Sequence, residues 1–587
     1  MLALLPEKGV MDRLMNRYFN SNTPSQHIVH IPTFSKQYAA FLENPHETDL
    51  HWIAMLFMIL AMGVFFSSFT APHELEVDSP TPAMDRFRQF RGAAGCALLW
   101  GKYAQPGRFT MQAFLLYVEG EFLVNRVSQM NCYLLSSTMI RLMLKLGLHR
   151  DPSKLLNISP FDGEMRRRQW NLAIQLDLLV SFHLGLPSMI HGIESDTILP
   201  RNLLDSDFDE NSRELPLPRP ATDYTPLTYP INKALVARVF GLVARLSHSL
   251  TLPTYTEVMK VDDKINEVWE GVPRFMKVRP MTECVTEPPM LVIQRFGLAA
   301  LYQKSRVVLH RRYVSELPLQ REHEYSRRTC LEAAIALLQY QSTIHDASRP
   351  GAMLAANGWF IASLAVNDFL LADAIVVIVI QNDSYAEDGG ESDWLSRGTP
   401  MPTKNELIEL LTRSQSIWRE LAKNVSECRK ASDVVGIMLQ RIQRQFGLGT
   451  QDENDTFNPG PGISTSATTE SEEVSGSSLA SLNLNGSKNP SSGGTSIIKP
   501  SVHDFVDFGV MDPNIMHMDN GSTSSDPWGL SQMQTCYDWT QFDAMTRGPM
   551  DEIQAGPQTS QDTWIDQSMI NEFSKFLESN SWNAPQS

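Results

Sequence analysis

The side chains best suited to chemistry lie close together between residues 164 and 177. Arg166, Arg167 and Arg168 follow Glu164 by two to four positions. Such a run could contact nucleic acid or form a localisation patch. However, successive helical positions point about 100° apart, so three neighbours cannot form one flat basic patch. We therefore interpret the arginines as partners of Glu164 or of acids in a neighbouring loop.

Two further groups could act in acid–base or phosphate chemistry. Asp177 lies among apolar helical neighbours, where an aspartate more often fixes an arginine or a backbone group than catalyses a reaction. The second group is basic and consists of Arg306, His310, Arg311 and Arg312. We interpret it as the solvated, dipole-favoured end of a helix rather than as a phosphate site.

Metal chemistry is not indicated by the histidines or the cysteines. His46 and His51 are five residues apart, whereas two histidines that share a metal on one helix need a spacing of four. The six cysteines contain no Cys-x-x-Cys pair, so no short-spaced zinc site can be built from them. We expect reduced, buried thiols, and we predict no catalytic, metal or cofactor-binding residue in this chain.

The elements that must position residues 164–177 form a helical hairpin. Leu135, Met139, Leu142, Met143 and Leu146 share one helical face, and the glycine that follows predicts the end of that helix. A second helix begins after a predicted capping box, and glycine and proline end it. The residues on which this second helix depends are Ser159, Pro160, Asp162, Trp170, Ile174, Leu178, Gly185 and Pro187.

The hairpin also resembles a known family. A helix ending in G-L-H-R, then E-x-R-R-R-x-W, then D-x-x-x-S-x-x-x-G-x-P and an acid–proline pair, is similar to the fungal-specific transcription factor domain, the middle homology region of fungal zinc-cluster regulators. Asn171 and Leu186 depart from the family, which often has tryptophan and arginine there. The matching positions are Gly147, Leu148, His149, Arg150, Glu164, Arg166, Arg167, Arg168, Trp170, Asp177, Ser181, Gly185, Pro187, Asp196 and Pro200.

The resemblance extends over about residues 5–447 and implies a regulator of transcription. Family members bind DNA through an N-terminal six-cysteine, two-zinc cluster followed by a coiled coil. No cysteine precedes Cys96 in this sequence. A gene model lacking its first exon, a regulator that acts through a DNA-binding partner, and a member that has lost DNA binding all remain open. Zinc is expected only if such a cluster exists outside these residues.

The rest of residues 1–447 also predicts helices. Trp52 to Phe66 is uncharged but is shorter than the roughly 20 residues of a membrane span, so we predict a buried helix. Thr33 is the predicted cap of a preceding helix, residues 71–82 a loop, and the segment after Pro200 a long surface loop. Another helix is predicted from Trp359 to Ile380. No alternating strand pattern occurs, which predicts an all-α body.

The charge of the chain is concentrated at its C-terminal end. Residues 451–587 contain 19 acidic and 4 basic residues, a net of −15, whereas the whole chain is −16. Residues 448–502 are rich in Ser, Thr, Gly and Asn, and we predict a disordered linker. Residues 503–587 combine acids with aromatic residues, which is typical of activation segments. The candidate anchors are Trp528, Trp539, Phe542, Trp564, Phe573 and Phe576.

These observations predict a nuclear fungal transcription regulator of RNA polymerase II genes, whose helical body is regulatory and whose tail recruits coactivators. Control of a metabolic or secondary-metabolite pathway is one form of this role. The alternatives are a non-DNA-binding helical co-regulator and a ligand-binding or scaffold protein. DNA is expected as a partner only through a zinc cluster outside these residues or through another protein. A homodimer remains open, and no membrane partner is expected.

Overall fold

The computed structural model describes residues 1–445 except 22, 125–129, 317–319, 356–365, 383–384, 386–400 and 424–425. Every regular element in this part of the chain is a helix, so the all-α prediction is confirmed there. The predicted linker (448–502) and tail (503–587) lie outside the described residues. The α-helices are α1 (Lys8–Phe19), α2 (Ile31–Glu43), α3 (Leu50–Thr70), α4 (Pro72–Asp78), α5 (Ala83–Trp100), α6 (Thr110–Val124), α7 (Met130–Lys145), α8 (Pro160–His183), α9 (Thr228–Ser247), α10 (Tyr255–Gly271), α11 (Pro289–His310), α12 (Glu324–Ala347), α13 (Val366–Gln381), α14 (Lys404–Leu421) and α15 (Ser426–Gln445).

The N-terminal helices pack around α3. Asp49 caps this helix by accepting hydrogen bonds from the backbone N–H groups of His51 and Trp52. Helices α1, α5 and α6 surround it, and every residue from His51 to Ser67 is buried. By length and composition α3 could cross a membrane, but 83% of its most apolar window is buried inside the protein. The prediction of a buried helix is therefore confirmed.

A second group of helices packs around α11 and α12, with α9, α10, α13 and α14 against them. Helix α8 contacts α6 and α7 on one side and α9 on the other. It therefore joins the two groups, and most of its residues are buried.

Helices α7 and α8 of the hairpin end in the same way. Gly147 and Gly185 have φ of +73° and +67°, a left-handed conformation that glycine adopts without steric cost. The backbone N–H groups of Leu148 and Leu186 bond back to the Met143 and Ser181 carbonyls, which closes a Schellman motif at each end. These are the helix ends that the glycines predicted.

The start of α8 differs in one detail from the predicted capping box. Ser159 Oγ accepts from the Asp162 backbone N–H at 3.0 Å, as an N-cap should. The Asp162 carboxylate, however, accepts from the Ser159 hydroxyl at 2.7 Å. Aspartate is one methylene shorter than the glutamate of a usual capping box, which accounts for its local bond.

Three predictions about local structure are wrong. Part of the predicted loop 71–82 is helix α4, which ion pairs from Arg13 and Arg17 to its acids hold in place. The cap of α2 is His30 rather than Thr33, because the His30 ring accepts from the Thr33 backbone N–H. The segment after Pro200 is not simply a surface loop. Its Leu203 and Phe208 are buried and pack with two residues from the first turns of α8, Phe161 and Met165.

Candidate functional site

The connection between α7 and α8 is joined to the chain around Asp196. The His149 carbonyl accepts from the Asp196 backbone N–H at 3.1 Å. The Asp196 carboxylate accepts from the Asp151 backbone N–H, Arg150 and Lys154 at 2.7, 3.2 and 2.9 Å. The bond from Lys154, with that from Asp151, lowers the pKa of Asp196 to about 2. Asp196 therefore holds the turn as a carboxylate at neutral pH.

Arg167 forms a two-bond pair with Asp151. Its Nε and Nη2 lie 3.0 and 2.8 Å from the two carboxylate oxygens, and the Ile198 backbone N–H donates to the same carboxylate at 3.1 Å. Burial alone would raise the pKa of Asp151, but the bonds from Arg167 and Ser153 hold it well below its usual range. The pair ties α8 to the α7–α8 connection and to the segment near residue 198.

Glu164 and Arg168 form a second buried pair on the same helix. Glu164 is fully buried, and its Oε1 lies 3.5 Å from Arg168 Nε and accepts from the Arg201 backbone N–H at 3.0 Å. Arg168 also donates to Asp205 at 2.7 Å and to the His27 carbonyl at 3.2 Å. Burial raises the pKa of Glu164 to about 6, although Arg168 opposes this shift.

Arg166 has a different environment. Its Nη2 donates to the Leu146 carbonyl at the end of α7, at 2.6 Å. Among the described residues no carboxylate lies within ion-pair distance of this side chain. The pairing expected for the three arginines is therefore present for Arg167 and Arg168, whereas Arg166 caps the C-terminus of α7.

Trp170 is fully buried at the centre of this network. Its indole N–H donates to Ser195 Oγ at 2.8 Å, and the Ser195 hydroxyl donates to the His149 carbonyl at 2.8 Å. The His149 ring packs at a tilt to the indole, with 6.3 Å between centroids. Pro200 is also buried, and it precedes Arg201, whose backbone N–H donates to Glu164. Trp170 thus supports the α7–α8 connection through both packing and a hydrogen-bond chain.

The remaining motif residues lie toward the other end of α8. Asp177 is fully buried, and it accepts from the Ser188 hydroxyl at 2.5 Å and from Ser136 at 3.5 Å. Burial raises its pKa, and the bond from Ser188 opposes this. The Pro187 carbonyl accepts from Tyr133, while Ser181 and Gly185 form the C-terminal turn already described. Asp177 therefore fixes backbone and hydroxyl groups, as its position in the sequence suggested.

The structure thus separates the predicted residues into two polar clusters on one helix. The first contains residues 147–150, 164–170, Asp196 and Pro200. The second contains Asp177, Ser181, Gly185 and Pro187. In the first cluster each carboxylate of Asp151, Glu164 and Asp196 faces at least one cation. No group of His, Cys, Asp or Glu that could hold a metal ion occurs in the described residues.

Both polar clusters lie within a range of the chain that matches a known family. The family described as the fungal specific transcription factor domain matches residues 15–251, which include both clusters. Residues 15–251 are thus similar to the fungal specific transcription factor domain. The resemblance stated from the motif is therefore confirmed, and the matched range begins within α1 and ends after α9.

The chain is also similar to curated transcription factors. The Zn(2)-C6 fungal-type transcription factor pigI of Monascus ruber is 35% identical over 76% of this chain and 53% of its own length. The equisetin cluster transcription factor eqxF of Fusarium heterosporum is 32% identical over 75% and 63%. The fusarisetin A cluster transcription factor fsa6 of a Fusarium species is 33% identical over 75% and 58%. The chain thus spans between half and two thirds of the length of these relatives.

A third polar cluster lies beyond the matched range. His310 is fully buried, with Nε2 3.1 Å from Asp262 and Nδ1 2.9 Å from the Ser326 hydroxyl. The prediction that His310 belongs to a solvated helix end is wrong, because α10 and α12 cover this end of α11. The residue types match a Ser–His–Asp triad, but Ser326 is itself fully buried and bonds to Tyr255. The cluster links three helices and offers no accessible nucleophile.

A pocket that gathers Asp177, His183 and arginines would favour the ligand-binding alternative. His183 lies 3.2 Å from Lys304, which pairs with Asp368 at 2.7 Å. A cavity of about 420 Å³ lies at the other end of α8, and its wall includes neither Asp177 nor His183. That form of the alternative has no support in this part of the chain.

Sequence reasoning missed the acids and hydroxyls that complete the clusters. Asp151, Ser188, Ser195 and Asp205 all lie in connections rather than in periodic helices, so no helical spacing could reveal them. A partial signal exists for Asp151, which precedes a proline two residues after His149, and for the acidic run around Asp205.

Proposed function

We propose that this protein is a pathway-specific regulator of transcription in a fungus, and that its fungal specific transcription factor domain is the regulatory body. The observation that carries the proposal is the family match at residues 15–251, which contains the polar network of α8. Two of the relatives are named for clusters, equisetin and fusarisetin A. These names support control of a secondary-metabolite gene cluster. The proposed location is the nucleus.

The test of this role is deletion of the gene in its host, followed by sequencing of the transcripts. We expect one group of neighbouring biosynthetic genes to fall at least tenfold, and reintroduction of the gene to restore them. A fluorescent fusion should concentrate in the nucleus. Unchanged expression of every biosynthetic cluster under several growth conditions would contradict the proposal.

DNA recognition is proposed to reside outside the helical body. Residues 1–450 have a net charge near −1, which gives little general attraction for phosphates. We propose that DNA is bound through a zinc cluster outside these residues or through a partner protein. The matched length of the relatives, well short of their whole chains, is compatible with the first of these routes.

The acidic tail is proposed to recruit coactivators. Met569, Ile570, Phe573, Phe576 and Leu577 would share one face of a helix. A helix over residues 569–577 would be shorter than the roughly 12–15 residues below which isolated helices are marginal in water. It would therefore need a partner groove to persist.

Fusion to an unrelated DNA-binding domain tests the tail directly. Residues 503–587 should activate a reporter gene, and the double change Phe573→Ala and Phe576→Ala should remove most of that activity. Replacement of Ser568 and Asn571 by alanine gives a control with two changes off the apolar face. A silent fusion in several fungal hosts, or a double variant as active as the parent, would indicate an inert solvating tail.

A further inference from the structure

A cavity of about 420 Å³ lies beside the first turns of α8. Residues of α2, α3, α6, the end of α7 and the segment before α6 complete its wall. Much of this wall is apolar, and its larger members are Phe34, Met55, Phe109, Ile158, Phe161 and Met165. Cavities of this size and composition are typical of sites for small organic molecules.

The polar residues of the wall mostly have partners within the protein. Arg108 pairs with Glu210, and the Asp162 carboxylate accepts from Ser159. Gln37 accepts from the Trp52 indole N–H, and both ring nitrogens of His30 are hydrogen-bonded. Arg166 is thus the cationic side chain of the described wall that faces no carboxylate at ion-pair distance.

Arg166 also differs from its neighbours in sequence. Arg167 and Arg168 each hold a carboxylate within 2.8 Å, whereas the one hydrogen bond recorded for Arg166 is to the Leu146 carbonyl. Its Nε is buried without a hydrogen-bond partner among the described residues. The same is true of Gln112 Oε1, another group of the wall. Burial lowers the pKa of Arg166, and the Asp162 carboxylate, one helical turn away in the same wall but beyond ion-pair distance, partly opposes this shift.

We propose that this cavity binds a small organic acid with an apolar, ring-containing body, whose carboxylate pairs with Arg166. The planar guanidinium suits a carboxylate, and the aromatic wall suits the ring body. The carboxylate would thus be held where α8 meets the end of α7. The inference does not depend on the proposed transcriptional role, because binding is measured on the purified protein.

The simplest competing explanation is that Arg166 only caps α7. The variant Arg166→Gln separates the two roles, since a glutamine N–H can still donate to the Leu146 carbonyl but carries no charge. Arg88→Met is the matched control, because Arg88 is exposed and pairs only locally with Asp85.

The experiment titrates residues 1–587 with dansylglycine and with its neutral primary amide, followed by dansyl fluorescence and calorimetry. The carboxylate should bind saturably below about 1 mM and about 10- to 100-fold more tightly than the amide, as charged hydrogen bonds imply. Arg166→Gln should abolish this preference without weakening the amide, and Arg88→Met should change neither affinity.

A second variant tests the location of the site independently of the charge. Ile158 is half-buried in the cavity wall, so Ile158→Trp should fill the cavity and weaken both probes at least tenfold. Thermal melts establish that each variant is folded before it is titrated. Equal affinity for carboxylate and amide in the natural sequence, an intact preference in folded Arg166→Gln, or no saturable binding of the carboxylate would each overturn the proposal. If Arg166→Gln does not fold, undiminished binding to Ile158→Trp overturns it.

Discussion

Helices α3 and α8 are both buried along most of their length, yet they are buried in different ways. From His51 to Ser67, α3 contributes almost only apolar side chains to the core. Helix α8 buries Glu164, Arg167, Arg168 and Asp177 among its apolar residues. Burial of α3 is favoured by the hydrophobic effect alone, whereas each buried charge of α8 is tolerable only with a partner.

This difference assigns a different task to each helix. Apolar packing is non-directional, so any neighbour of suitable volume and shape can pack against α3. Ion pairs and hydrogen bonds have defined geometry. Helix α8 therefore specifies the paths of the irregular segments around it, through Asp151, Asp196 and Asp205. We expect substitutions that change side-chain volume in α3 to be destabilising, and substitutions in α8 to be destabilising when they remove a polar partner.

The largest effect should come from removing the indole at the centre of the α8 network. Trp170→Ala creates a cavity and leaves Ser195 without its donor, so we expect a loss of about 3–5 kcal/mol in the free energy of unfolding. Leu42→Ala, at a half-buried position of α2, should cost clearly less. Denaturant unfolding of both variants is the measurement. Equally small losses would show that α8 is not central to stability.

Arg168→Met tests the dependence of α8 on partners. The change roughly conserves length and apolar character, but it leaves half-buried Asp205 without its cation and buried Glu164 with only the more distant Arg167, at 3.9 Å. We expect a cost of up to about 3–5 kcal/mol. The matched change in α3 is Met58→Leu, a volume-conserving swap at a fully buried position that should cost less than about 1.5 kcal/mol. Similar losses for the two, measured by denaturant unfolding, would remove the distinction between the helices.

The two helices were also predictable to different degrees. Composition alone indicated α3, because an uncharged run within a helical chain must be buried. Periodicity and the glycines at 147 and 185 located the hairpin, and the geometry of consecutive helical positions indicated that the arginines needed separate partners. The partners themselves were not predictable. Asp205 lies 37 positions from Arg168, and its place depends on the path of an irregular segment.

The same limit applies to the other sites. His310 is the last residue of α11 and is followed by two basic residues, so the sequence predicted a solvent-exposed side chain. The packing of α10 and α12 buries it instead. The cavity beside Arg166 is assembled from five parts of the chain. Local patterns identify a helix and its buried face, whereas cavities and cross-chain pairs depend on how several helices meet.

Gly63→Ala tests the sensitivity of α3 to volume. A Cβ at this position would lie 2.3 Å from the Leu14 carbonyl oxygen of α1, which is backbone and cannot move aside as a side chain can. Overpacking of this kind should cost about 1–3 kcal/mol. Gly92→Ala in α5 is the control, since no atom lies within 4 Å of its added Cβ. Thermal or denaturant unfolding that ranks the control as the more damaging change would contradict the close packing of α1 on α3.

The smallest expected effect is a pH dependence of α8 that runs opposite to that of α3. Burial lowers the pKa of His51, the one ionisable residue between positions 50 and 70, so its contribution to stability increases as the pH rises toward 6.5. Burial raises the pKa of Glu164 from 4.5 to about 6. The folded state therefore binds more protons than the unfolded state between these values. The contribution of Glu164 is fully present below about pH 4.5 and is lost as the pH rises through 6, by at most about 2 kcal/mol.

Glu164→Gln should flatten this part of the stability curve. Asp151 and Asp196, whose pKa values are lowered, should still increase stability as the pH rises toward 4 in both proteins. Urea unfolding at half-unit steps from pH 4 to 7 measures the difference, and parallel curves for the two proteins would show that Glu164 keeps an ordinary pKa despite its burial.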